Sequence, residues 1–183
     1  MEEGERSFLL GQYPDNVREN AGNSSSKDTN ILDNVEVRGL KEKLEIAVND
    51  AFTCVHSPTL KCGLYITKSW LNFTTKEQSH HRHEHPNSFY SAVLYLKTTE
   101  EDNITFFHPT YTSSYAIYSN HFGLYNSRSW EVPVKDNMLL IFPSTLPHSV
   151  TPLKHDNLRV SLSFNTFLRG EFGDPLDANH LVL

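Results

Sequence analysis

The rhythm of apolar and polar positions changes once along this chain, near residue 60. Before that point Leu40, Leu44, Ala47, Val48, Ala51 and Val55 recur at helical spacing. Asp33-Asn34-Val35-Glu36, just upstream, has the form of a capping box, with the acid three residues on reaching back to the helix start. The pattern predicts one amphipathic helix over 36–56, its first turn weakened by Gly39, with the apolar stripe packed on the outer face of a sheet. From residue 63 the period falls to two. Strands are predicted at 64–73, 79–85, 89–97, 103–108, 114–119, 121–126, 129–134, 138–142, 147–151 and 158–166. Turn signals separate them at Glu100-Glu101-Asp102-Asn103, Asn126-Ser127, Lys135-Asp136-Asn137 and His155-Asp156-Asn157. Many short strands after one helix predict a mainly β fold, a jelly roll.

Within residues 1–35, positions 1–30 are poor in periodic apolar residues and 21–30 is a tract of small polar residues, AGNSSSKDTN. Residues 1–35 are expected to form a flexible or loosely docked N-terminal segment, held if at all through Phe8, Leu9 and Leu10. Neither an internal repeat nor a later linker divides the rest, so 36–183 is expected to be a single domain that includes the helix.

Composition narrows the function. Of the net charge of −6, residues 1–36 contribute −5, so the body is close to neutral. That argues against general binding to nucleic-acid backbones. Two cysteines, Cys54 and Cys62, make neither a disulfide framework nor a four-ligand zinc site, and are expected to be reduced and partly buried. A signal-peptide pattern and an apolar run of membrane-spanning length are both missing. The expected location is the cytoplasm, and the Asn-x-Ser/Thr triplets at Asn23, Asn72 and Asn103 are read as coincidence.

Four of the ten histidines, His80, His81, His83 and His85, fall within six positions. On an extended chain, side chains two apart share a face. His83 and His85 can therefore supply two of the three protein ligands of an open metal site. The alternative is a solvated strand edge that happens to be rich in histidine. Downstream, His148 follows an apolar strand and a Pro-bounded turn, Pro143 to Pro147. Arg159 then opens a strict alternation, with Arg159, Ser161, Ser163 and Asn165 on one face and Val160, Leu162 and Phe164 on the other. A guanidinium in a dry pocket can hold a carboxylate by two hydrogen bonds. The competing reading is a strand whose polar face meets water.

Together these stretches resemble the non-haem iron, 2-oxoglutarate-dependent oxygenases, over about residues 64–167. The resemblance narrows to a small branch frequent in marine bacteria and their phages. It is carried by Ser69-Trp70-Leu71-Asn72, by His83-Glu84-His85-Pro86-Asn87-Ser88, and by a strand from Ser91 to Tyr95-Leu96. It continues in Phe142-Pro143-Ser144-Thr145-Leu146-Pro147-His148 and in Arg159 to Asn165. Ala92 stands where the branch more often has Gly.

The resemblance implies a double-stranded β-helix, cupin-like. It implies an Fe(II) site made by His83, His85 and His148, and Arg159 on the far carboxylate of 2-oxoglutarate. Ser161, Asn72 and Tyr95 are expected to bind the same co-substrate, with Ser91 and Asn165 as weaker candidates. His85 occupies the usual Asp position, which leaves the metal site one unit more positive. Glu84 points to the opposite face of a regular strand, and His81 is the substitute ligand. Trp70 and Trp130 are read as core or rim aromatics, and His108, His121, His155 and His180 as structural or solvated. His56 ends the helix, where a cationic side chain meets the dipole.

The expected activity is hydroxylation of a C–H bond with dioxygen, giving succinate and carbon dioxide. The unidentified substrate is a small molecule or peptide. It would enter past an aromatic lip of Phe106, Phe107, Tyr111, Tyr115, Tyr118 and Phe122. Two alternatives are a three-histidine cupin dioxygenase without 2-oxoglutarate, and a non-catalytic metal-binding β-sandwich. Arg159 separates the first of these from the main reading, because that chemistry has no use for a buried guanidinium there.

Overall fold

Alternation of apolar and polar side chains in the strands divides the molecule into an apolar outer layer and a polar interior. The computed structural model describes residues 1–108, 118–123 and 126–183. In chain order the elements are α1 (Glu3–Leu10), β1 (Val17–Asn20), β2 (Asn23–Ser26), 3-10 turns at Ile31–Asp33 and Val35–Val37, and α2 (Arg38–His56). There follow β3 (Cys62–Thr74), β4 (His80–His83), β5 (Tyr90–Lys97), β6 (Asn103–Phe107), β7 (Ser129–Pro133) and β8 (Leu139–Pro143). The last are β9 (His148–Val150), β10 (Arg159–Phe172) and β11 (Leu181–Val182). Among the described residues one sheet runs β1-β2-β3-β10-β5-β8, with β11 on the end of β10, and the other runs β4-β9-β6-β7. Neighbouring strands are antiparallel, which makes the mainly β jelly roll expected from the pattern. The strands expected at 114–119 and 121–126, and Tyr111 and Tyr115, fall wholly or partly outside the described residues.

β3 and β10 form the spine, paired from Arg159 opposite Thr74 to Gly170 opposite Cys62, with one bulge between Asn165 and Thr166. On their outer face Leu71, Phe73, Val160, Leu162 and Phe164 are wholly buried. They pack with Leu94 and Leu96 of β5 against Leu40, Leu44, Val48 and Phe52 of α2. Burying one such side chain is worth about 1.5–3 kcal/mol, so this layer carries much of the stability. Phe52 continues the buried face, whereas Val55 is 67% exposed, a correction to the stripe read from spacing. The face runs at four-residue steps, and Phe52 is the next step after Val48. The expected capping box does not form. A 3-10 turn leads into the helix without a side-chain cap, and the Asp33 carboxylate instead pairs with Lys41 at 2.7 Å. Ser57 ends the helix in the left-handed region (φ 44°), its N–H donating to Thr53 O, and Pro58 follows.

Residues 1–35 dock through Leu9, within the Phe8-Leu9-Leu10 run, and also form strands that the polar tract did not predict. Leu9 is fully buried in the helical layer, and β2 pairs with β3, Ser24 opposite Phe73 and Ser25 opposite Asn72. The tract lacks the usual strand signal because its buried side chains, Asn23, Ser25 and Ser26, are polar. Ser26 Oγ accepts Leu71 N–H at 3.0 Å and donates to Asp28 O at 2.6 Å. A smaller apolar cluster of Tyr95, Ile104 and Val134, with Val93, Leu140 and Val150, joins the two sheets. Both cysteines are free, and Cys54 is exposed rather than partly buried. Among the described residues, no helix is long and apolar enough to cross a membrane.

Candidate metal centre

Strand pairing delivers the first two histidines. In the antiparallel pair of β4 and β9, His83 stands directly opposite His148. His85 lies beyond the end of β4, and its N–H donates to Ser144 O at 2.9 Å, in the turn between β8 and β9. A hydroxyl network braces that turn. Ser144 Oγ lies 2.7 Å from Ser88 Oγ and 2.8 Å from Ser91 Oγ, and Ser91 Oγ donates to Asn165 Oδ1 at 2.9 Å. Ser91 and Asn165, the weaker co-substrate candidates, are therefore occupied in holding the loop that carries His85.

One ligand nitrogen each from His83, His85 and His148 lies within 4.8 Å of the others. The Nε2 atoms of His85 and His148 are 3.4 Å apart. Nδ1 of His83 sits 2.8 Å from His81 O, and Nδ1 of His148 sits 3.0 Å from Leu146 O. Only a protonated Nδ1 can donate to a carbonyl, so in both rings Nε2 keeps its lone pair. Burial, reinforced by the neighbouring imidazoles, pushes the His85 pKa down to about 3. Burial also takes His148 down to about 4 and lowers His83. The rings are thus neutral at physiological pH, the state in which imidazole binds metal. Three converging nitrogen donors, with no fourth protein ligand among the described residues, fit a divalent transition metal with open positions.

His81 does not join this set; its ring is exposed, and its carbonyl is what orients His83. Glu84 is likewise outside it. His80 is a neighbour that spacing missed. Between His80 and His83 the pairing of β4 with β9 is irregular, three residues against two, and such a bulge turns residues of odd separation to one side. The His80 ring consequently stacks on His83, centroids 4.2 Å apart, and lines the same cavity.

The predicted co-substrate residues form rows across the larger sheet. Ser161 pairs with Asn72 on one side and with Tyr95 on the other. One step along, Arg159 pairs with Thr74. Arg159, Ser161, Asn72 and Tyr95 line the cavity that holds the histidines. Asn72 Nδ2 donates to Ser163 Oγ at 2.9 Å, while its Oδ1 is buried without a partner among the described residues. Burial raises the Tyr95 phenol well above its ordinary range, so it stays protonated. Asn23, delivered by β2, is 95% buried at the same cavity, and its Oδ1 likewise has no partner among the described residues. No pattern in the polar N-terminal tract marked it.

Arg159 is 4% exposed, as expected for a dry pocket, but it already has a protein partner: Nη1 donates to Asp102 Oδ1 at 2.8 Å. Asp102 was legible only as part of an acidic turn, with nothing to distinguish it from Glu100 and Glu101.

The aromatics divide. Trp70 lines the cavity with its ring 5.7 Å from that of His85, and Phe106 and Phe142 pack on His148. Trp130, Tyr118 and Phe122 are exposed. The remaining polar histidines lie elsewhere: His56 meets the Tyr90 hydroxyl at 2.9 Å, and His155 and His180 sit near surface glutamates.

Residues 68–165 match the model of a family described as "Putative 2OG-Fe(II) oxygenase". No curated protein matches the chain. Among solved structures, the chain is similar to the non-haem α-ketoglutarate-dependent epimerase SnoN from nogalamycin biosynthesis (TM-score 0.61, 14% identity, 97% of this chain and 80% of that one). It is also similar to a Pseudomonas putida prolyl-4-hydroxylase (0.55, 15%, 88% and 85%). A third is HygX from Streptomyces hygroscopicus, solved with nickel, 2-oxoglutarate and hygromycin B (0.55, 11%, 91% and 79%). At these identities the structural likenesses speak for the jelly-roll fold. The family match covers more than half of the 183 residues, and the chain belongs to the 2OG-Fe(II) oxygenases, enzymes that use iron, 2-oxoglutarate and dioxygen.

Proposed function

We propose that this oxygenase is a hydroxylase in which His83, His85 and His148 hold Fe(II) and Arg159 receives the far carboxylate of 2-oxoglutarate. The observation that carries the reading is convergence. Three neutral imidazoles and a buried guanidinium, from both sheets, face one cavity. Bound there, iron with 2-oxoglutarate and dioxygen supplies the oxidising power that hydroxylates a C–H bond, leaving succinate and carbon dioxide. The chain's own residues set the stage for it. The carbonyls of His81 and Leu146 hold two rings in the ligand tautomer, and the serine network keeps the His85 loop in place.

Arg159 presents donors to a carboxylate, and Ser161 and Tyr95, in the adjoining row, add hydroxyl donors. A half-turn of the Asn72 amide lets Ser163 Oγ–H donate to Oδ1 and gives the NH₂ group to the cavity. Residues 36–183 form the catalytic domain, and 1–35 close it through β2. The exposed free Cys54 suits a reducing cytoplasm. The motifs built on Ser88, Ser91 and Ser144 suit the bacterial and phage branch.

The test is titration of the Fe(II)-loaded protein with 2-oxoglutarate. Arg159→Ala should still bind Fe(II) but raise the apparent 2-oxoglutarate constant roughly 100-fold, the scale of a charged pair left half made. Arg159→Lys should recover only part, because an ammonium cannot reproduce the planar fork. An unchanged constant in Arg159→Ala would sink the assignment.

A further inference from the structure

We infer that Asp102 is a positioning residue for 2-oxoglutarate, acting through Arg159; this rests on the reading of Arg159 given above. Asp102 immediately precedes β6 of the smaller sheet, and Arg159 opens β10 of the larger one, so their ion pair spans the two layers. The side chains are 3% and 5% exposed. The carboxylate is fixed on its other side as well, since Oδ2 accepts Thr99 N–H at 2.8 Å. Its backbone is pinned too: Asp102 N–H donates to Thr99 O at 3.2 Å, and Asp102 O accepts Val134 N–H at 3.0 Å. Asp102 is thus a rigid acceptor of known direction.

What it leaves open matters as much. A guanidinium offers two edges to a carboxylate, Nη1 with Nη2 and Nε with Nη2. Asp102 engages Nη1 alone, at 2.8 Å, and Arg159 has no other hydrogen-bonding or ionic partner among the described residues. The Nε/Nη2 edge therefore stays whole, on a side chain that lines the histidine cavity. An unpaired buried guanidinium is strongly unfavourable and would turn toward water when no co-substrate is bound. Asp102 neutralises it in place, so the incoming carboxylate meets a fork already aimed. Binding then avoids the ordering cost of a long side chain. Two carboxylates on one guanidinium also repel, and if charge alone decided, removing Asp102 would tighten co-substrate binding. Aim decides here, because among the described residues Asp102 is the single hydrogen-bonding group that orients the fork.

The experiment is anaerobic titration of Fe(II)-loaded variants with 2-oxoglutarate, read by the visible band of the chelate, with Fe(II) affinity measured separately. Asp102→Asn should weaken 2-oxoglutarate roughly 10-fold, the low end of what supporting hydrogen bonds contribute in such sites. Fe(II) affinity should not change. Adding Asp102→Asn to Arg159→Ala should shift the constant by less than about 2-fold, the non-additivity of a residue that works through another. A merely structural role would instead lower Fe(II) affinity and add to the Arg159 effect. If Asp102→Asn does not fold, Asp102→Glu keeps the charge but displaces the fork by one methylene, and 2-oxoglutarate should weaken about 3- to 10-fold. Parent-like or tighter 2-oxoglutarate binding in the folded variant overturns the inference. If Arg159→Ala is weak while Asp102→Asn is parent-like, this inference alone fails. If Arg159→Ala itself binds like the parent, the reading of Arg159 fails and this one with it.

Discussion

A metal site made of three imidazoles depends on their being free of protons, and that is decided residue by residue. An ordinary histidine, with pKa near 6.5, is mostly protonated at pH 6. Here burial holds His85 at about 3 and His148 at about 4, and lowers His83, so protons compete with the metal less than they would at ordinary histidines. Three ordinary imidazoles would lose metal affinity about 50-fold between pH 7.5 and 6.0, since each loses about three-quarters of its neutral form. This site should lose less than about 3-fold over that interval. A Zn(II) or Fe(II) titration at the two pH values checks it, and a 50-fold loss would mean that the rings are solvated. The three candidate ligands were singled out by a His-x-His pair before a Pro turn and a later His after a Pro-bounded turn, with a solvated strand edge as the competing reading. His80 and Asp102 were not. One reaches the site through a bulge, which no spacing announces, and the other through a contact between sheets.

Elements were readable where burial imposed a period. β10 showed itself by strict alternation from Arg159 to Asn165, β5 and β8 by short apolar runs, and α2 by helical spacing, all of them feeding one apolar layer. β2 pairs its serines with β3, and β1 pairs with β2, so this polar hairpin looked like loop. The residue that holds this hairpin is Gly22. Its φ of +96° lies in the left-handed region, and a Cβ there would stand 2.6 Å from Ser79 O. Ser79 N–H in turn donates to Gly22 O at 3.0 Å, tying the hairpin to the stretch just before β4. Gly22→Ala should therefore cost about 1–3 kcal/mol of stability. Urea unfolding should show it as a lower midpoint, and an unchanged midpoint would mean that the hairpin does not lean on Ser79.

On the scale of the molecule, the two sheets do different work. The larger buries its outer face under α1 and α2 and turns polar rows inward; the smaller brings two histidines and Asp102 to meet them. Fold class followed from the count and spacing of strands, but which strands would pair did not. The opposition of His83 to His148 joins positions 65 residues apart, and only the pairing of β4 with β9 reveals it. The central claim is that this interior binds iron and 2-oxoglutarate together, and one measurement reaches it without knowledge of the substrate. Anaerobic addition of Fe(II) and then 2-oxoglutarate should produce the weak visible charge-transfer band of the iron-bound keto acid. His85→Ala, with Fe(II) affinity lowered about 10-fold or more, should lose the band at equal metal concentration. No band in the parent protein, or an undiminished band and Fe(II) affinity in His85→Ala, would contradict the three-histidine site.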